Sequence, residues 1–209
     1  MRLNRPLDKI LNSEIKTRIL RIFCQNQGEM SGRQIARMAG VTPKTAHEIL
    51  QDLLGEGVLA MRTIGKTYLF CLNEDRLVVK DVLKPLFAVE NALRERLFGI
   101  IRTTVDQSKL KDEIISVAVF GSIHARTERP TSDVDLLVIV KNAASKRKTE
   151  ALFSEIDRQV SSQWGNLVSP YINGLAEFKI NARKKTGPVP GILKSYQLIY
   201  GDRLEKILR

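Results

Sequence analysis

The sequence predicts an α/β (α+β) chain made of two folded parts joined by a helical connector. Three observations predict it. From Leu7 to about Leu72, short helical patterns alternate with turn signals. From about Arg76 to Lys109, helical periodicity runs almost without turn residues. From Glu113 onward, apolar strand patterns alternate with helical ones. The expected parts are residues 1–74, 75–110 and 111–209. Of the 209 residues, 43% are hydrophobic, enough to bury a core in each of two small domains.

Composition narrows the partners. Thirty-four Lys and Arg against 23 Asp and Glu leave a net charge of +11. A surplus of that size attracts polyanions such as DNA, RNA, nucleotides or an anionic membrane face. Cys24 and Cys71 stand among apolar neighbours, with no Cys or His at ligand spacing. They read as small buried hydrophobes in a reducing compartment, not as a disulfide or a metal site. No apolar run approaches the roughly 18 residues that span a bilayer, and no apolar segment of the secretory kind follows the basic N-terminus. The expectation is a cytoplasmic protein with no membrane partner.

In the first part, Ser13 is placed to cap a helix to Phe23 carrying Ile15, Ile19, Leu20, Ile22 and Phe23 on one side, broken by Asn26, Gln27 and Gly28. Ser31, with Gln34 three residues on, has the pattern of a capping box. Its helix turns Ile35, Ala36 and Met38 inward and stops at Gly40. Thr42 caps a third helix with Pro43 at its first position, where a missing N–H costs nothing. Ala46, Ile49, Leu50, Leu53 and Leu54 face inward, and the helix ends at Gly55 or Gly57. A hairpin follows, with Val58, Ala60 and Arg62 on one arm, Ile64-Gly65-Lys66 at the turn, and Tyr68, Phe70 and Leu72 alternating on the other.

Two short helices joined by a Gly-containing turn form a helix-turn-helix, and a hairpin after them forms a wing. By the order and spacing of these elements, roughly the first third of the chain resembles the winged-helix regulators of the MarR and ArsR kind. The resemblance implies DNA as a partner, with protein docking as the other known use of such modules. On DNA, the third helix would enter the major groove by its N-terminal residues. Lys44 would reach a phosphate or guanine; Thr45, His47 and Gln51 would read base edges; Arg62 and Lys66 would touch the backbone or minor groove from the wing.

Across the connector, Leu77, Val78, Val82, Leu83, Leu86, Phe87, Val89, Leu93, Leu97, Ile100 and Ile101 recur at three and four. Pro85 is expected to kink or split the region. Such a segment packs against both domains or forms a dimer seam. A homodimer suits a winged helix reading two half-sites.

The third part carries the chemistry. Residues 115–122 read Ile-Ser-Val-Ala-Val-Phe-Gly-Ser, an apolar strand ending in Gly121-Ser122. Residues 132–140 read Ser-Asp-Val-Asp-Leu-Leu-Val-Ile-Val, a second apolar strand led by Asp133-x-Asp135. Strand residues i and i+2 share a face, so the two carboxylates project together. They repel unless a cation lies between them, and hard oxygen ligands favour Mg²⁺ or Mn²⁺. Gly121 permits close approach of a phosphate; Ser122 and the N–H groups after it offer donors. A metal beside a phosphate cradle is equipment for displacement at a nucleotide α-phosphate.

These two motifs at this spacing resemble the minimal nucleotidyltransferases of the DNA-polymerase-beta type. The resemblance runs from about Glu113 to the C-terminus and implies a mixed sheet flanked by helices. It implies NTP as substrate or ligand, with Asp133 and Asp135 as catalytic metal ligands. Gly121, Ser122, Arg126 and Ser132 would hold the nucleotide. The chain departs from the pattern in two ways. Ala125 and Arg126 stand where many members have Arg-Gly. Residues 166–172, the expected strand for a third carboxylate, contain no acid, and Glu177 opens the next helix.

The basic run Lys179, Arg183, Lys184 and Lys185 reads as a solvated helix end before a flexible loop at 186–191, with a basic lip for a triphosphate or nucleic acid as the other reading. The function so implied is transfer of a nucleoside monophosphate to an unknown hydroxyl acceptor. A partner toxin is one such acceptor, since some minimal nucleotidyltransferases are antitoxins. The alternative is a non-enzymatic transcriptional regulator whose degenerate transferase domain senses nucleotide or a partner protein.

Overall fold

The structure, a computed structural model, describes residues 4–26 and 28–209. Gln27, one of the expected helix breakers, lies outside the described residues. The chain divides into two compact units, with the boundary between Leu93 and Arg94.

The first unit contains α1 (Leu7–Ile10), α2 (Glu14–Gln25), β1 (Met30–Ser31), α3 (Gly32–Ala39), α4 (Pro43–Gly55), β2 (Leu59–Ile64) and β3 (Thr67–Leu72). Ser13 caps α2 by accepting the Lys16 N–H. Ser31 and Gln34 form a reciprocal capping box on α3, and Gly40 ends that helix in the left-handed region at φ 65°. Thr42 caps α4, with Pro43 at its start. The strands form a three-stranded antiparallel sheet in the order β1-β3-β2. Ile19, Leu20, Phe23, Ile35, Leu50, Leu53 and Phe70 fill one core.

Three details differ from the sequence expectation. Met38 is exposed and Ala39 is buried in its place, because the inward stripe of α3 runs Ile35, Ala36, Ala39. On the hairpin, Leu59 and Met61 share a face with Phe70 and Leu72, so the alternation is shifted by one from Val58 and Ala60. Tyr68 is exposed, since the tip extends beyond the core.

The expected connector is continuous with both units. A π-helical turn over Val78–Leu83 leads into α5 (Lys84–Gln107), with the Lys84 N–H donating to the Val79 carbonyl five residues back. Pro85 follows directly; the widened turn spares its ring the clash with a carbonyl four residues earlier. Val78, Val79, Leu83 and Phe87 belong to the first core, whereas Leu97, Phe98, Ile101 and Val105 belong to the second. Val82, Leu86, Val89 and Leu93 are exposed. Both cysteines are free and half-buried; burial pushes the Cys24 thiol up to about 11. Among the described residues, no helix is long and apolar enough to cross a membrane.

The second unit adds β4 (Ile114–Val119), α6 (Gly121–Ala125), β5 (Val134–Val140), α7 (Ala143–Trp164), β6 (Val168–Gly174), α8 (Leu175–Lys184), α9 (Val189–Lys194), β7 (Gln197–Gly201) and α10 (Leu204–Leu208). The sheet order is β6-β5-β4-β7. The β5–β6 pair is parallel and the other two pairs are antiparallel, giving the mixed sheet flanked by helices. Both faces are covered, which is why β5 reads as an almost unbroken apolar run. Leu136, Val138 and Val140 pack with Phe153, Ile156 and Val160 of α7 on one face. Leu137 and Ile139 pack with Phe178, Val189 and Ile192 of α8 and α9 on the other. Part of the expected flexible loop at 186–191 is therefore helix α9, anchored by buried Val189 and Ile192.

Candidate active site

Asp135 is in phase with Leu137 and Ile139, so its side chain lies on the sheet face that α8 and α9 cover. It stands at the exposed start of β5. The Phe120 N–H donates to its carbonyl at 3.0 Å, fastening the end of β4 beside it. Gly121 follows with φ +70°. A Cβ there would overlap the Asp135 carboxylate oxygen and lie 3.1 Å from its Cγ, so only glycine lets α6 begin against the carboxylate. Desolvation pushes the Asp135 carboxyl above its ordinary value, and the neighbouring charge of Asp133 pushes it further. Asp133 is exposed. Neither aspartate has a Lys, Arg or His partner among the described residues. No group of three or more His, Cys, Asp or Glu gathers there as a metal cluster.

The turn before Asp133 is braced by Ser132. Its Oγ accepts the Arg129 N–H at 2.9 Å, and its carbonyl accepts from Asn166 Nδ2 at 2.8 Å. Ser122 lies in the first turn of α6, and its carbonyl accepts the Arg126 and Thr127 N–H groups. Arg126 is exposed and caps α6 in the left-handed region at φ 58°. It adopts the conformation a glycine would supply there, at a cost of about 1 kcal/mol.

No acid enters from β6. Ser169 is the residue in register with Asp135. Glu177 lies beyond the far end of that strand, past Gly174, which pairs with Val140; there it forms a 2.5 Å ion pair with Lys146. Five strand positions, about 16 Å, separate the two ends.

Sequence reasoning missed one juxtaposition. His124, in the last turn of α6, meets Ser195 at the end of α9, with Nε2 2.9 Å from Oγ. Both line a cleft of about 300 Å³ together with Phe120, Gly121, Pro188 and Ile192. The partners are 71 residues apart, and the fold brings α6, at the end of β4, against the end of α9.

In the first unit, Lys44, His47 and Gln51 are exposed on α4, while Thr45 is half-buried with its hydroxyl 2.9 Å from that of Thr42. Lys66 is at the hairpin tip and shares a groove with Arg33, His47 and Tyr68. Arg62 lies within β2, away from the tip, and its guanidinium is bound to Glu29 at 2.5 Å. Helix α4 is held from behind by Lys16, which is almost fully buried. Its ammonium pairs with Asp52 and donates to the Lys9 carbonyl at 2.7 Å.

Fold and site thus define a chain that joins a winged helix-turn-helix to a nucleotidyltransferase fold. Comparison with known families agrees: residues 12–60 match the winged helix-turn-helix DNA-binding family, and residues 103–171 match the polymerase beta nucleotidyltransferase family. A protein of Methanocaldococcus jannaschii named "Putative protein adenylyltransferase MJ1305" is 34% identical over 96 residues, 45% of this chain. The chain spans 63% of the length of that relative.

Two solved structures from Mycobacterium bovis are each 23% identical with a TM-score of 0.33. One is a crystal structure of a fragment of a "possible transcriptional regulatory protein", covering 43% of this chain and 88% of that one. The other is a solution structure of a homodimeric winged helix-turn-helix DNA-binding domain, covering 44% of this chain and 77% of that one.

Proposed function

We propose that the second unit transfers a nucleoside monophosphate from an NTP to a protein hydroxyl, and that the winged helix holds the chain on DNA. The observation that carries the transfer reading is the pair Asp133 and Asp135, with no cationic partner among the described residues and with Asp135 set against a glycine that admits no side chain. Two hard carboxylates, that of Asp135 partly desolvated, fit one Mg²⁺ or Mn²⁺, whose remaining positions would go to water and phosphate. When bound, that ion would supply Lewis-acid stabilisation of the α-phosphate. Gly121, Ser122, Ser132 and Arg126 border the space in which the triphosphate would lie. A protein acceptor is favoured by the name of the archaeal relative.

The test is incubation with labelled ATP, CTP, GTP and UTP in Mg²⁺ or Mn²⁺ and a cell lysate as acceptor source. Wild type should label protein. The Asp133→Ala/Asp135→Ala double variant should lose labelling by on the order of 10³-fold or more. Equal labelling by the two proteins would reject the reading.

A second reading has its own observation. Ser169 occupies the β6 position beside Asp135 where a third carboxylate would complete the site. A non-enzymatic regulator that senses nucleotide through a degenerate site would show metal-dependent nucleotide binding without turnover in the same assay.

For the first unit, exposed Lys44, His47 and Gln51 on α4 and Lys66 at the wing tip support duplex DNA binding, with half-buried Thr45 beside them. A homodimer is supported by Val82, Leu86, Val89 and Leu93. They are exposed and spaced four, three and four apart, the spacing of a helix–helix seam.

A further inference from the structure

We propose that the chain nucleotidylates itself on Ser195, with His124 taking the hydroxyl proton. The inference rests on the transfer reading above and adds a modification site to it. Ser195 ends α9 in extended backbone, with its N–H spent on the Ile192 carbonyl and its side chain exposed. Its hydroxyl is therefore free of the backbone and engages His124 Nε2 at 2.9 Å.

His124 is one of two histidines in the chain and the only one in the second unit; the other is His47. Its Nδ1 is buried without a protein partner, so Ser195 is the side chain that orients the ring. In the tautomer protonated at Nδ1, Nε2 accepts the Ser195 proton. An imidazole is the side chain best suited to take a hydroxyl proton near neutral pH. No carboxylate on β6 competes for that task.

Position supports the same assignment. Gly121 and His124 are three residues apart in α6, about 4.5 Å of helix rise. Gly121 leaves no room for a Cβ beside the Asp135 carboxylate, and His124 touches Ser195. One cleft of about 300 Å³, walled by Phe120, Pro188 and Ile192, runs along this short helix. A nucleotide whose phosphates lie at Gly121 would have Ser195 within the same cleft.

The step balances as follows. Ser195 Oγ forms a bond to the α-phosphorus, and its proton passes to His124 Nε2 and then to solvent. The bond from the α-phosphorus to the bridging oxygen breaks, and pyrophosphate leaves with the electron pair. The products are a serine phosphodiester carrying one nucleoside monophosphate, pyrophosphate and a proton.

The full chain, incubated with labelled NTPs and Mg²⁺ and then with lysate proteins, should gain one nucleoside monophosphate by intact mass. Peptide mapping should place the adduct on Ser195. Ser195→Ala should abolish the adduct and Ser195→Thr should retain it. His124→Gln, which keeps a hydrogen bond to the hydroxyl, should slow its formation by about 10²-fold.

Wild type that labels lysate proteins while its own Ser195 stays unmodified would overturn the inference and leave the transfer reading standing. An adduct that persists in Ser195→Ala, or forms at the wild-type rate in His124→Gln, would also overturn it. Wild type that labels neither itself nor the lysate removes both.

Discussion

The ion-paired carboxylates of the first unit and the Asp133–Asp135 pair of the second are held in opposite ways. In the first, Glu90 receives Arg21 through two bonds at 2.6 and 2.8 Å, Glu29 receives Arg62, and Asp52 receives the buried ammonium of Lys16. The Arg21 and Arg62 guanidiniums hold the Glu90 and Glu29 carboxyls below their ordinary values. In the second unit, Asp133 and Asp135 have no cationic partner among the described residues, and desolvation, then the charge of Asp133, raises Asp135. A paired carboxylate fixes a shape: these bonds set the pose of α2, α4 and the wing. An unpaired, desolvated carboxylate is held by its surroundings at a cost in stability, and a bound cation would relieve it. The contrast separates residues that maintain a structure from residues available for a ligand.

The largest expected effect breaks the contrast at its sharpest point. Asp135→Asn should lower nucleotide incorporation by on the order of 10³-fold. The same change should raise the melting midpoint of the ligand-free protein by about 2 °C, because it removes a disfavoured charge. Incorporation assays and calorimetry on one preparation check both signs; a variant that loses both activity and stability would show that Asp135 is structural.

Next in size is DNA binding. Lys66→Ala should weaken duplex affinity several-fold and reduce the slope of log K against log salt by about 1. Arg62→Ala should change the slope less, since Glu29 already occupies its guanidinium. Fluorescence anisotropy titrations at several salt concentrations compare the two, and equal slopes would remove the distinction.

The smallest effect is on pH dependence. Glu90 has a folded value below its unfolded one, so its contribution is fully present above the ordinary carboxylate range. It is lost as pH falls through the lowered value. Asp135 runs the other way: its ionisation costs stability as pH rises through the ordinary value toward the raised one. Thermal melts from pH 6 to pH 3 should show a shallower acid decline for Glu90→Gln, by about 0.5 kcal/mol or less.

What was legible in the sequence was local. Ser31 with Gln34, Thr42 with Pro43, and Gly40 each act within one helical turn, so their spacing alone located helix ends. Gly121-Ser122 and Asp133-x-Asp135 were legible because one follows and the other leads a strand whose apolar run marks its place in a buried sheet.

The parts that were not legible depend on pairing between distant segments. β1 has only two residues and exists because Met30 and Ser31 align with Phe70 and Leu69. Apolar spacing turns Met38 inward because α3, at eight residues, is too short to settle its phase against Ala39. Ser169 could be seen to be no acid, but its station beside Asp135 follows from the parallel register of β5 and β6. The contact of His124 with Ser195 required both faces of the sheet to be assigned.

The strand order has a consequence for biosynthesis. Ser116 on β4 pairs with Gly201, 85 residues later, and a Cβ at Gly201 would overlap the Ile115 carbonyl oxygen. The sheet of the second unit therefore gains its fourth strand only after nearly all of that unit has left the ribosome. The winged helix closes its hairpin across a two-residue turn. Nascent chains should acquire their winged helix first and carry an open sheet edge until β7 arrives. Translation speed and chaperone supply would then affect the yield of the second unit more than that of the winged helix.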